Sequence, residues 1–297
     1  MGLGPAAQLV AVGVDDSEEG FDAARYAVGV ARDRGWDLIV LHSLQAGPGE
    51  GTAAHRARRG RSRVEGDRLV DRLITASRIS GEIRVHRIVA SAPPVEALRE
   101  VSGYVSLLVL GQHQVELADQ VVTGRVGAAV AAAARCPVAI VPRGWDRTDV
   151  SGRPVVVVLD GEPSSTLAAR CALDEAALRR TSLVALRAEP GRDRDPDPEQ
   201  VAPGTALAAG QREHPDVEVR VLVVEGDPRS WSVDASALAS LVVVGRPHRG
   251  LHVASWSRAV AGTVLAASGC PLLVAPSDDA VDLLSSRDRR SSRARRR

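Results

Sequence analysis

The chain contains no lysine, so all 38 of its permanently basic side chains are arginine. That excludes a Walker-type phosphate loop, whose lysine has to reach the β- and γ-phosphates. Aromatic residues make up only 2% of the 297 residues, too few for a platform that stacks nucleic-acid bases. Cysteine is scarce as well. Its three occurrences (Cys136, Cys171, Cys270) are far apart, with no CxxC or Cys/His spacing, so neither a disulfide framework nor a zinc site is expected. No apolar run approaches the roughly 18 residues of a membrane helix. The opening MGLGPAAQLVAVGVDD lacks the positive start of a signal peptide. A reducing cytoplasm fits these absences best.

The net charge is +1, yet Arg287–Arg297 (RDRRSSRARRR) holds seven arginines against one aspartate. The rest of the chain is therefore net acidic, and attraction of the whole molecule to nucleic acid is not indicated. The tail itself reads either as a solubilising end or as a salt-sensitive contact to nucleic acid or an anionic membrane.

What the chain does have is one stretch written twice. Residues 105–142 and 239–276 each carry an apolar, β-branched run ending in glycine (Gly111, Gly245). A polar loop, an alanine-rich helical segment, Cys-Pro (Cys136-Pro137, Cys270-Pro271) and a second apolar run follow in both. Strand, glycine loop, helix and strand make a βαβ unit whose strands read as buried on both faces. The loop after the first strand of such a unit, with the next helix start, is a natural anion or nucleotide site.

The duplication reaches further back. LVAVGVD ending in Asp15 matches VVVVLD ending in Asp160, each followed by a helix that starts with Ser and acidic residues. Second strands follow at Leu38–Ser43 and Leu183–Ala188, and third strands at Ile83–Val89 and Val217–Val224, each ahead of a proline and a helix. Early landmarks are offset by 145 residues and late ones by 134. The difference falls between second and third strands, where Gly47–Arg63 reads as a Gly/Arg-rich mobile loop and Glu189–Gly204 as a Pro/Asp-rich one. The fold class is thus α/β: two tandem, doubly wound parallel sheets of five strands each. Residues 1–145 and 151–277 are the expected domains, joined by the polar linker Arg143–Arg153, with 278–297 as a disordered tail.

The pattern resembles the universal stress protein family, in two copies covering nearly everything but linker and tail. The residues carrying the resemblance are VGVDDS at 12–17, VVLDGEPSS at 157–165, VVEGDP at 223–228 and the two strand–Gly…Cys-Pro blocks. It implies strand order 3-2-1-4-5. It also implies dimerisation, often through the last strand, which the two halves of one chain can satisfy by pairing with each other; a homodimer is a further option. Some members of the family bind ATP, and no general reaction comes with it.

Nucleotide-binding members carry G-x2-G-x9-G-[ST] after the fourth strand. Glycines let backbone approach phosphate, and the hydroxyl residue opens a helix whose free N–H groups favour anions. Here Gly111 and Gly124 match, Gln114 replaces the middle glycine, and Arg125 stands at the hydroxyl position. In the second half only Gly245 matches, with His248, Arg258 and Ala259 at the other places. The resemblance further implies nucleotide contacts at Asp15 and Asp160 and, against adenine, at Ser43 and Ala188. An adenine nucleotide such as ATP or AMP is thus expected, if anywhere, in the first half. Both glycines also have a plain structural reading, as chain turns and packing points. Arg125 can be read as clamping a phosphate or as closing the crevice by pairing with Asp15 or Asp16. Arg258 toward Asp160 is the parallel reading in the second half.

Arg246, His248, Arg249 and His252 read as a solvated basic loop, a poor metal cage without a companion carboxylate or thiol. His42, His86 and His113 read as isolated strand-end or loop residues, and the three cysteines as packed and inert. No catalytic triad or paired carboxylates emerge. Three functions stay open: a non-enzymatic stress-response scaffold with a degenerate nucleotide site, an ATP/AMP-binding regulator using the first half, and a weak ATPase.

Overall fold

The β-branched runs in the middle of each half become strands because they can bury both faces between helix layers, while the edge strands at Val85–Ala90 and Val219–Val224 stay partly exposed. A computed structural model describes residues 8–44, 53–76, 83–112, 114–117, 120–123, 125–159, 164–188, 203–224, 228–246 and 267–276. In chain order the first half runs β1 (Leu9–Val14), α1 (Glu18–Arg34), β2 (Asp37–Ser43), α2 (Ala53–Ala76), β3 (Val85–Ala90), α3 (Pro94–Val101) and β4 (Leu107–Gly111). A hairpin, β5 (Gln114–Leu117) and β6 (Gln120–Thr123), then precedes α4 (Arg125–Ala133) and β7 (Val138–Val141). The second half runs β8 (Val155–Leu159), α5 (Ser165–Arg179), β9 (Leu183–Ala188), α6 (Pro203–Glu213), β10 (Val219–Val224), α7 (Pro228–Ser236), β11 (Leu241–Gly245) and β12 (Leu272–Ala275).

All but the hairpin strands join one ten-stranded sheet, ordered β10-β9-β8-β11-β12-β7-β4-β1-β2-β3. Each half therefore shows the order 3-2-1-4-5, parallel throughout. The halves meet where β12 pairs antiparallel with β7, Leu273 standing opposite Ala139. One sheet face is covered by α1, α2, α5 and α6, through residues such as Ala27, Leu73, Leu173 and Leu207. The other is covered by α3, α4 and α7, through Leu98, Val130 and Trp231 among others.

Local chemistry fixes the helix that matters most for the crevice. Ser17, in extended backbone, accepts the Gly20 N–H at 3.0 Å, with Glu18 and Glu19 at the positive end and Arg32 and Arg34 at the negative one. Gly35 stops α1 at φ 63°, a left-handed conformation that costs glycine little. Its counterpart Arg180 stops α5 at φ 53°, the one non-glycine residue with positive φ among those described.

Across the seam, α1 and α5 are tied by charge. Glu175 accepts from both Arg34 and Arg179, and Arg179 also donates to the Tyr26 hydroxyl at 3.1 Å. Tyr26 packs edge-on against Trp145, ring centroids 5.1 Å apart.

Two sequence expectations are corrected. Residues 53–63, read as loop, form the first turns of α2: Ala and Arg are good helix formers, and the single Gly60 costs only about 1 kcal/mol against Ala. Part of the polar loop after β4 is the β5–β6 hairpin, Gln114 opposite Thr123 and Leu117 opposite Gln120. Its β-branched residues suit a ladder. Residues 47–52, most of Glu189–Gly204 and the tail lie outside the described residues. Among the described residues no helix is long and apolar enough to cross a membrane.

Candidate functional site

Strand order reverses between β1 and β4, and at the carboxyl ends of these strands an open α/β sheet leaves a crevice. In the first half it is a cavity of about 980 Å³. Its floor is Gly13, Val14 and Gly111; its walls are Asp15–Ser17, His42, Ser43, and Val126 and Gly127 of α4. The remaining wall is α2, through Glu65, Gly66, Arg68, Leu69 and Arg72.

The polar groups around the cavity are tied to one another. Asp15 accepts from the Ser17 hydroxyl and from the Ser17 N–H at 3.3 Å, so its carboxylate braces the turn into α1. Asp16 is paired with Arg72 across the mouth at 2.9 Å. The Ser43 hydroxyl donates to the Ala92 carbonyl at 2.6 Å, tying the end of β2 to the segment after β3. His42 Nδ1 lies 2.9 Å from the Val14 carbonyl. A carbonyl only accepts, so Nδ1 carries the proton and, in the neutral ring, Nε2 is left as an acceptor.

Close packing accounts for the glycines that end β4 and β11. A Cβ on Gly111 would sit 2.5 Å from the Glu19 carbonyl oxygen, and a Cβ on Gly245 would collide with the Ser164 hydroxyl. In both halves the glycine lets the first turn of a helix lie directly on the strand end.

Of the sequence-predicted residues, Asp15, Ser43 and Gly111 are brought together at the cavity. Gly124 lies outside the described residues. Arg125 opens α4, but its side chain is not among those described, so its expected reach to Asp15 or Asp16 lies outside them. In the second half Gly245 ends β11 and Ala188 ends β9, while Asp160, His248 and Arg258 lie outside the described residues. Among the described residues no group of three potential ligands could hold a metal.

Sequence reasoning missed the α2 wall, and with it Arg68 and Arg72. The signal was present: Leu69, Val70 and Leu73 are buried at helical spacing, which sets Arg68 and Arg72 one turn apart. His42, read as isolated, lines the cavity.

The solvated-loop reading also fails for Arg246, which is only 7% exposed. Its Nε and Nη2 are buried without a hydrogen-bond partner, and burial holds its pKa down to about 10. The following loop is polar, so composition pointed outward. Arg246 instead shares the face of Val244, in the strand alternation, and lies near Cys136. Two of the cysteines are packed as expected, burial pushing Cys136 up to about 12 and Cys270 up to about 11, while Cys171 is only partly buried.

A doubly wound sheet present twice, with its crevice at the switch point, defines a protein of the nucleotide-binding-like α/β class. Comparison with known sequences narrows this. The chain belongs to the universal stress protein family, whose model matches residues 8–142 and again 152–276. It is 31% identical over 287 residues to universal stress protein Rv2005c of Mycobacterium tuberculosis, covering 90% of this chain and 96% of that protein. Universal stress protein Rv2623 of the same organism is 29% identical over 297 residues, covering 93% and 98%. Among solved structures, that of a universal stress protein from Archaeoglobus fulgidus matches with a TM-score of 0.70 at 17% identity, covering 92% of this chain and 98% of that one. At that identity the likeness concerns the fold alone.

Proposed function

We propose that the protein is a non-catalytic, cytoplasmic stress-response regulator whose first half senses an adenine nucleotide of low charge, AMP rather than ATP. The observation that carries this reading is the cavity of about 980 Å³ at the first-half switch point, within the range of small-molecule sites. Asp15 and Ser43 line it, at the positions where the family resemblance implies nucleotide contacts, Ser43 against adenine. Asp15 and Asp16 at the mouth, with only Asp16 neutralised by Arg72, disfavour a triphosphate. Gln114 and Arg125 interrupt the glycine signature on which a long phosphate chain would lie. The absence of any lysine speaks against phosphoryl transfer of the Walker type.

Titration calorimetry of the full chain with AMP and with ATP tests the reading. Saturable AMP binding that is tighter than ATP binding, and lost in Ser43→Trp, supports it. Binding of neither nucleotide leaves the second reading, a scaffold whose crevice is degenerate in both halves. Tighter binding of ATP contradicts the argument from Asp15 and Asp16.

A further inference from the structure

The two outer edges of the sheet are not alike. β3, at one end, has the sequence VHRIVA, and its exposed His86 and Arg87 face Asp37 at 3.4 Å and Asp71 at 2.6 Å. Charge of this kind is a usual guard on a free strand edge. β10, at the other end, pairs among the described residues only with β9 and reads VRVLVV. Its consecutive Val221, Leu222 and Val223 are 48%, 50% and 55% exposed. The strand's one charge, Arg220, is already paired with Glu218 at 2.8 Å. An apolar strand with one open ladder edge and both faces partly in water is a docking surface.

We propose that β10 pairs antiparallel with β10 of a second copy of this chain, joining two ten-stranded sheets into one. A second copy fits because the strand is complementary to itself. A two-fold axis perpendicular to the sheet keeps like faces together. Centred on Val221, it sets Val221 against its own copy and Val219 against Val223, so one face of the seam is a row of valines. On the other face Arg220 stands opposite Leu222, with its Glu218 partner beside it, and no like charges oppose each other.

The chain already contains a join of this form. β7 and β12 pair antiparallel about Ala139 and Leu273, which are counterparts under the 134-residue offset relating Cys136 to Cys270. The proposed contact repeats that pairing at the opposite edge of the second half. It is isologous and therefore closes at two copies, while the charged β3 edges leave the ends of the joined sheet capped.

Sedimentation equilibrium of the full chain over a wide concentration range is the test, with two substitutions at the half-exposed Val221. The expected result is a mass rising to twice the chain's 31.2 kDa, reverting to one chain in Val221→Lys, with His86→Lys on β3 leaving the dimer intact. Val221→Cys, oxidised with glutathione disulfide, is expected to give a chain-to-chain disulfide, because the register opposes identical positions. Circular dichroism separates lost pairing from lost folding. A wild-type chain that stays monomeric, or a dimer that survives Val221→Lys, overturns the proposal. So does a dimer that forms only after residues 278–297 are removed, since the edge would then be covered by the chain's own tail.

Discussion

Arg34 of α1 and Glu175 of α5 belong to different halves and form an ion pair whose side chains are only 18% and 7% exposed. Glu175 holds Arg179 as well, so one buried carboxylate answers two guanidinium groups. Burial already lowers the pKa of Arg34, and its Nε has no partner.

Glu175→Gln keeps the shape and removes the carboxylate that both cations share. Breaking a buried pair from one side leaves uncompensated charge, and a loss of about 3 kcal/mol is expected. Arg34→Met is expected to cost less, because Glu175 keeps Arg179. Urea unfolding, compared at equal slope, reads both.

Gly111 and Gly127 line the same cavity yet should respond oppositely to alanine. At Gly111 the added Cβ meets Glu19 backbone at 2.5 Å, so α1 has to shift, at a cost of about 2 kcal/mol. At Gly127, inside α4, the nearest atom is Ile140 Cδ1 at 3.8 Å. There Ala is expected to stabilise by about 0.5 kcal/mol through helix propensity. Thermal unfolding of the two variants checks the contrast.

Arg180 holds the left-handed position that Gly35 holds in the first half. Arg180→Gly is expected to raise stability by about 1 kcal/mol, the strain of a side chain there less the extra freedom of an unfolded glycine. A drop in the unfolding midpoint would show that the Arg180 side chain makes a contact worth more than that strain.

The buried thiols give a pH dependence. Cys136 and Cys270 ionise in the unfolded chain near the ordinary value of 9.0 but are held up to about 12 and about 11 when folded. Their contribution to stability is thus fully present below pH 9 and is lost as pH rises toward those values, because the unfolded state sheds protons first. Arg246 opposes this above pH 10, where its folded form binds fewer protons than the unfolded chain. Stability should therefore fall between pH 9 and 10, and less steeply in the Cys136→Ala, Cys270→Ala double variant. Denaturant unfolding across that window measures it.

Most of the architecture could be read from the duplication. Two Asp-ended strands, two Gly-ended strands and two Cys-Pro joints in the same order give the doubly wound class, but several strand orders obey the right-handed crossover rule, and the order 3-2-1-4-5 was implied by the family resemblance. The crevice was legible in part, because Asp15, Ser43 and Gly111 sit at strand ends whose place follows from topology. The α2 wall was legible only beyond residue 63, where Leu69, Val70 and Leu73 recur at helical spacing; arginine and glycine around residues 53–63 have the composition of a loop, and there helix propensity carries α2 back to Ala53. Arg246 was illegible for a related reason: a cation after a strand reads as exposed, and only the tertiary structure shows it buried near Cys136.

The shared Glu175 also says what carrying both halves in one chain makes available. Under the offset that relates Asp15 to Asp160, Arg34 corresponds to Arg179 but Glu175 corresponds to Val30. A first half meeting its own twin would bring two arginines to the join and no acid, and a second half meeting its twin would bring two of each. The halves have become a mismatched couple, each built for the other and not for itself, and neither can be swapped for a duplicate without redrawing the charges along α1 and α5.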